Sequence, residues 1–282
     1  EEDEMETTTD GRHRPVAIAL VGCGAIGQAV IEALGADRHL AVTQVVVNDA
    51  SLASVSHYLA RHLPLATVGT RLDPDAGRPD LIVECAGHSA LAEHVVPALA
   101  GGVPAIVASV GALHDPALRQ ALEAAAEGGG VRLTLVSGAI AAIDALAAAR
   151  LGGLDSVHYT GRKPPRGWLG TAAAERVDLL SLTEATVVFD GSAGEAARRF
   201  PQNANVAATV SLAGLGLEAT RATLIADPAV TSNVHSLVVE GGFGRFAMTI
   251  ENEPLPANPK TSALTVYSIV RAIRNATGTV VI

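Results

Sequence analysis

Near its start the chain reads Val16-Ala17-Ile18-Ala19-Leu20-Val21, then Gly22-Cys23-Gly24-Ala25-Ile26-Gly27, then Gln28-Ala29-Val30-Ile31-Glu32-Ala33-Leu34. The first part is a continuous apolar run, which fits a strand buried on both faces of a parallel sheet. The last part repeats its apolar residues at helical spacing. Between them, Gly22 allows a tight turn and Gly24 lets the main chain approach a pyrophosphate. Gly27 lets the helix pack close to the strand, so that the helix's unpaired N–H groups face the phosphates. Many chains carry three such glycines, and the flanks make the argument here. A second strand, residues 42–47, ends in Asn48-Asp49, where a ribose-binding carboxylate belongs. The stretch predicts a dinucleotide site built from Gly22, Gly24, Ala25, Ile26, Gly27 and Asp49. Which of Asn48 and Asp49 meets the ribose stays open, and with it the choice between NAD and NADP. The competing reading is a glycine-rich turn that binds nothing.

Strand and helix go on alternating as far as residue 137. Residues 66–69, 79–87, 105–109 and 131–136 read as strands; residues 51–63, 90–100 and 116–127 read as helices, the last two closed by glycines. Six strands at this spacing predict an α/β unit over residues 15–138, a Rossmann-type doubly wound parallel sheet with right-handed crossovers. Loops at the carboxyl ends of such strands line the cofactor crevice, so the small residues Cys85, Ala86 and Gly87 are cofactor neighbours. An Ala-rich helix is expected from Ser137 to Arg150. Beyond it, residues 156–163, 186–190, 221–226, 234–240 and 245–251 read as strands, many with polar and apolar residues alternating. Gly241-Gly242-Phe243-Gly244 joins the last two as a hairpin. A second α+β domain, residues 139–261, built on a mostly antiparallel sheet is the expectation. A closing helix within residues 262–282 packs back on the first domain, and residues 1–14 form an acidic, disordered tail.

The formal net charge of −9 and pI near 5.4 argue against nucleic acid or an anionic membrane as partner. The apolar stretch over residues 15–31 is interrupted by the glycine turn and so does not read as a membrane span. The acidic opening, Glu1-Glu2-Asp3-Glu4, is no secretory signal, and Cys23 and Cys85 are the only cysteines. Together these predict a reduced, cytoplasmic protein whose cysteines pack rather than react. No spacing suited to a metal ion is present.

Proton transfer near neutral pH calls first for histidine. His13, His39, His57, His62 and His114 lie in the tail or in helices and loops of the first domain, where surface and packing roles suffice. His235 differs, because Thr231-Ser232-Asn233-Val234-His235 gathers polar side chains beside one titratable ring at the start of a strand. A half-buried strand histidine satisfied by a neighbour is the alternative. A substrate carboxylate would want a fixed cation aided by amides or hydroxyls. Arg162, Lys163 and Arg166 surround Pro164-Pro165, and Asn258-Pro259-Lys260-Thr261-Ser262 sets a lysine beside two hydroxyls. Either group can equally be a solvated charged loop.

Several segments together resemble one family. Besides the glycine turn they are Glu84-Cys85-Ala86-Gly87, Ser137-Gly138-Ala139-Ile140-Ala141-Ala142-Ile143-Asp144 and Phe200-Pro201-Gln202-Asn203-Ala204-Asn205-Val206-Ala207. Ser232-Asn233-Val234-His235 and Glu253-Pro254-Leu255-Pro256-Ala257-Asn258-Pro259-Lys260-Thr261-Ser262 complete the set. From about residue 15 to the end, the chain resembles the L-aspartate dehydrogenases. The resemblance implies oxidation of L-aspartate to iminoaspartate with NAD or NADP, feeding NAD biosynthesis, and reductive amination of oxaloacetate with ammonia in reverse. It also implies a homodimer. The family's active-site histidine falls on His235, and its cofactor-contacting alanine and asparagine fall on Ala139 and Asn205. Lys163, Asn233, Lys260 and Thr261 are then candidates for the substrate carboxylates. Two alternatives stay open: an oxidoreductase similar to homoserine dehydrogenase or dihydrodipicolinate reductase, and a non-catalytic sensor of NAD(P).

Overall fold

Six short apolar segments of the first half line up as one parallel sheet in the computed structural model. The structure describes residues 14–35, 37–201 and 205–282, with residues 259 and 260 described by their backbone alone. The strands are β1 (Val16–Val21), β2 (Leu40–Val46), β3 (Thr67–Gly69), β4 (Leu81–Glu84), β5 (Ala105–Val107) and β6 (Leu133–Leu135). Their order is β3-β2-β1-β4-β5-β6, every neighbouring pair parallel. The order reverses between β1 and β4, which leaves a crevice at their carboxyl ends, and the glycine turn opens into it.

Helices α1 (Ala25–Leu34) and α2 (Asp49–His62) cover one side of the sheet, and α5 (Pro116–Gly129) covers the other. Before α5, the helix expected over residues 90–100 is broken in character. It begins as α3 (His88–Ala90), widens through a π turn at Leu91–Val95 and ends as α4 (Val96–Ala100). Pro97 has no N–H to give, and its ring crowds the carbonyl four residues back; a wider turn relieves both. Within β1 the residues alternate, with Ile18 and Leu20 packing toward α1 and Ala19 and Val21 toward Leu91, Leu99 and Leu122.

The chain then departs from expectation once more. Residues 137–142 form an irregular turn, with Gly138 at φ 68° and Ala142 at φ 60°, and α6 spans only Ile143–Leu151. Backbone groups of this turn are held by distant side chains rather than by a helix ladder. The Gly138 N–H donates to Ser268 Oγ (3.1 Å), and Asn252 Nδ2 donates to the Ala139 carbonyl (2.9 Å).

The second sheet contains β7 (Leu154–Lys163), β8 (Thr186–Ser192), β9 (Arg221–Ala226), β10 (Asn233–Gly241) and β11 (Gly244–Asn252), in the order β11-β10-β7-β9-β8. Three pairings are antiparallel, and β7 with β9 is parallel, so the sheet is mixed. The parallel pair arises because the chain leaves β7, forms β8 with α7 (Ala193–Arg199) and α8 (Asn205–Ala213), and crosses back before β9. Its inner face, with Val157, Tyr159, Leu224, Leu237 and Val239, packs on Leu146 of α6 and on Ala207 and Val210 of α8.

A small ribbon of β12 (Pro254–Leu255) and β13 (Asn258–Ser262) then leads to α9 (Ala263–Thr277). Val266, Ile269, Val270 and Ile273 of α9 join the core formed by β1 and α1, so the closing helix returns to the first sheet. Arg14, at the edge of the tail, donates to both Asp80 carboxylate oxygens (2.8 and 2.7 Å). Residues 1–13 lie outside the described part. No described helix is long and apolar enough to cross a membrane.

Candidate active site

Two glycines of the turn are demanded by packing, and the third faces open space. Gly22 has φ +93°, and a Cβ there would lie 2.6 Å from the Ala86 main chain. One at Gly27 would lie 2.3 Å from the Gly22 carbonyl oxygen, whereas at Gly24 it would meet nothing within 4 Å. Gly24 is also the cap of α1 and offers no side chain to the first N–H groups, which stay open to a ligand. The cradle therefore fits a pyrophosphate. It opens into a cavity of about 560 Å³ lined by Gly22, Gly24, Asn48, Asp49, Cys85 and Ala86. Ala25, Gly27 and Gly87 stand outside that lining, while Ile26 belongs to the inner cavity described below.

Asn48 and Asp49 separate in role. Asn48 Oδ1 accepts the Ser51 N–H at 3.0 Å and caps α2, which leaves the exposed Asp49 carboxylate facing the cavity. Burial pushes both cysteine thiols up, Cys85 well above the ordinary value, so neither is a thiolate. Glu84, wholly buried at the end of β4, organises the loops above the crevice. Its carboxylate accepts from the Ala86 and Gly87 N–H groups (both 2.8 Å), the Ser109 N–H (3.0 Å) and the Ser109 hydroxyl (2.7 Å).

A second, smaller cavity of about 130 Å³ lies between the two sheets, and Ala139, Lys163, Asn205, Asn233, His235 and Thr261 line it together with Ile26 and Thr209. Asn205 opens α8, and its Oδ1 accepts the Gly111 N–H at 2.8 Å. That bond orients the amide and directs its NH₂ elsewhere. Glycine at position 111 leaves room for that oxygen, since a Cβ would come within 2.5 Å of it and push the amide aside. His235, on β10, is 3% exposed, and its Nδ1 lies 2.8 Å from the Tyr159 hydroxyl on β7. Burial, with the Lys163 ammonium nearby, lowers the imidazole pKa to about 3, so the ring is neutral. Burial likewise brings Lys163 down to about 8; its Nζ sits 5.5 Å from the centroid of the Trp168 ring.

The neighbouring cations have other duties. Arg162 is paired with the buried Asp227, and Arg166 is exposed. Lys260 lies on β13, and its side chain is outside the described part, as are residues 202–204 of the asparagine-rich segment. His39, His57, His62 and His114 line neither cavity. Among the described residues no cluster of three His, Cys, Asp or Glu side chains could hold a metal ion.

Residues 144–276 match the family model described as aspartate dehydrogenase, C-terminal, and residues 22–135 match that of the homoserine dehydrogenase NAD binding domain. The L-aspartate dehydrogenase of Pseudomonas aeruginosa is 57% identical over 258 residues, covering 92% of this chain and 96% of that protein. The chain belongs to the aspartate dehydrogenase family. The L-aspartate dehydrogenase of Cupriavidus taiwanensis is 55% identical over the same shares. The crystal structure of the aspartate dehydrogenase of Thermotoga maritima matches with a TM-score of 0.74 at 26% identity, covering 95% of this chain and 99% of that one. An amine dehydrogenase from Mycobacterium smegmatis, 14% identical with a TM-score of 0.55, shares the fold alone. As a member of the family, the protein is an NAD(P)-dependent amino-acid dehydrogenase, and NAD or NADP is its cofactor.

Within this aspartate dehydrogenase fold, four residues at or behind the site are not among those the sequence singled out as site candidates: Glu84, Gly111, Tyr159 and Thr209. Glu84 alone could have been noticed, as a carboxylate closing an otherwise apolar strand. Gly111 and Tyr159 matter through partners far along the chain, and Thr209 through its place in the cavity wall.

Proposed function

We propose that the protein oxidises L-aspartate to iminoaspartate with NAD or NADP, and in reverse aminates oxaloacetate with ammonia. The observation that carries this is the inner cavity, where a buried neutral imidazole and a lysine amine meet amide and hydroxyl donors beside the coenzyme crevice. Gly22, Gly24, Cys85, Ala86 and Asp49 would hold the pyrophosphate and ribose, and Ala139 and the Asn205 amide the nicotinamide. When bound, that ring supplies the hydride acceptor. Around the substrate, Lys163, Asn233 and Thr261 are donors for carboxylate oxygens, and the backbone of β13 brings Lys260 to the same region. His235 meets the reacting end of the substrate. The apolar Ile26, Val136 and Val206 keep bulk water from the cavity and so strengthen every charge interaction within it.

The acidic net charge of −9 fits a small-molecule metabolic enzyme of the cytoplasm acting without nucleic acid or membrane. A homodimer is the expected assembly, to be checked by sedimentation. The substrate is tested by screening amino acids with each coenzyme. Coenzyme reduction is expected with L-aspartate, and turnover of L-homoserine instead, or of no amino acid, overturns the assignment. His235→Ala is expected to lower kcat by at least about 10²-fold with coenzyme affinity kept. Unchanged turnover removes His235 from the site.

A further inference from the structure

Tyr159 and His235 sit on adjacent antiparallel strands but are not cross-strand partners. The register sets His235 against Gly161 and Tyr159 against Leu237. Gly161 leaves the place beside the imidazole empty, and the Tyr159 phenol leans into it from two residues away on the same face. A Cβ at position 161 would stand 2.6 Å from the Tyr159 hydroxyl oxygen, so a side chain there would expel the phenol. The rings lie 5.9 Å apart at 21°, and the hydroxyl reaches Nδ1 at 2.8 Å. Tyr159 is 1% exposed, and its hydroxyl has no second hydrogen-bond partner among the described residues. Burial pushes its pKa upward, so it remains an O–H. A buried phenol with one acceptor in reach gives its hydrogen to that acceptor, because leaving the donor unmet costs about 1–3 kcal/mol. Nδ1 must then carry the lone pair, and the ring proton sits on Nε2. Nε2 has no hydrogen-bond partner among the described residues, and the ring lines the cavity.

We propose that Tyr159 is a positioning residue that holds His235 as the Nε2–H tautomer, so that His235 donates a hydrogen bond to the substrate and the substrate's amine proton passes to Lys163. This rests on the reading of the inner cavity as the aspartate site. An N–H at that place suits a carboxylate or carbonyl oxygen and cannot take a proton from an ammonium. Lys163 is the other titratable side chain in the described lining. The element α8 contributes Asn205, Val206 and Thr209 there, none of them titratable, β11 sets Ile250 opposite His235, and residues 261–265 contribute hydroxyls. In the forward direction, once the pH exceeds the Lys163 value of about 8 and its ammonium has lost a proton, the substrate ammonium gives one proton to the Lys163 amine. The Cα–H electron pair would then leave as hydride, for which a bound nicotinamide would be the oxidant, while the nitrogen lone pair closes the C=N bond. Lys163 returns its proton to water.

The tautomer is read directly by ¹⁵N NMR of the free protein labelled at histidine, with His235→Gln to assign the resonance. His235 is expected as neutral Nε2–H with no titration between about pH 5 and pH 8. An Nδ1–H ring, or one that titrates in that range, overturns the proposal. Tyr159→Phe keeps the ring and removes the bond. It is expected to mix the two tautomers and to lower kcat about 10-fold, a typical loss when the partner that orients a functional histidine is removed, with the aspartate KM little changed. Lys163→Arg keeps the positive charge but cannot release a proton, and is expected to lose at least about 10²-fold in kcat. Unaltered turnover in either variant counts against the proposal. Failure of the unaltered protein to oxidise aspartate would instead count against the functional reading, since the free protein's tautomer is measured without substrate.

Discussion

Asn48 and Asp49 are neighbours with separate duties, and the difference decides a property of the coenzyme site. Asn48 is spent on capping α2, while Asp49 opens to the outer cavity, whose described lining also carries Glu93 and holds no Lys or Arg. A carboxylate accepts from the hydroxyls of an unmodified ribose and repels a 2′-phosphate. The ratio kcat/KM is therefore expected to be higher with NAD than with NADP. Asp49→Ala is expected to narrow the gap by raising the KM for NAD about 10-fold, the equivalent of one charge-assisted hydrogen bond. A preference for NADP in the unaltered protein would contradict this assignment. Both side chains were placed at the strand end by sequence, but the choice between them follows from the backbone at Asn48, with φ −72° and ψ 161°, which aims its oxygen at the Ser51 N–H.

The closing helix α9 was legible because Val266, Ile269, Val270 and Ile273 repeat at i, i+3, i+4 and i+7, a single apolar stripe. What the stripe does not tell is that α9 also shapes the site. Ser268 Oγ accepts the Gly138 N–H, tying the helix to the turn that presents Ala139, and Thr265 lines the inner cavity. That turn was expected to be helical, and the alanines of residues 139–142 do favour helix. Tertiary hydrogen bonds to Ser268 and Asn252 outweigh the propensity, which is worth only tenths of a kcal/mol per residue. Ile269 is 0% exposed, and Ile269→Ala is expected to remove about 3 kcal/mol of stability. A urea midpoint that does not move would mean that α9 is not bound to the first sheet as described.

Carrying a neutral imidazole and a weakened lysine in its interior ties the stability of the molecule to pH. An unfolded chain protonates His235 near its ordinary value of 6.5, whereas the folded ring stays neutral down to about 3. Between those values only the unfolded state takes up the proton, so stability falls as pH drops through that window. Going from pH 7 to about pH 5 is expected to cost about 2 kcal/mol from this residue. Lys163 adds a second window, with stability lost as pH falls from 10.5 to about 8, where the unfolded ammonium keeps a proton the folded amine has released. Urea titrations at about pH 7 and about pH 5 check the first window. His235→Gln is expected to shrink the difference in midpoint, leaving the smaller contributions of His88 and His158, whose values burial also lowers. An undiminished difference would show that His235 is not held neutral by the fold.

By itself the sequence determined the parallel sheet, the glycine cradle, the strands of the second half and the family, because each is written in residues close together along the chain. Alternation at two residues, recurrence at three and four, and glycines where a Cβ cannot fit are local constraints that survive without a partner in view. The tertiary structure decided which polar groups meet. Arg162 and Lys163 are adjacent, yet successive residues of a strand face opposite ways, and only the pairing of the sheets sends one to Asp227 and the other to the cavity. Tyr159 and His235 are 76 residues apart, and their hydrogen bond exists because the β7–β10 register puts a glycine across from the imidazole. A contact of that kind depends on how two distant strands align, and no short stretch of sequence records it.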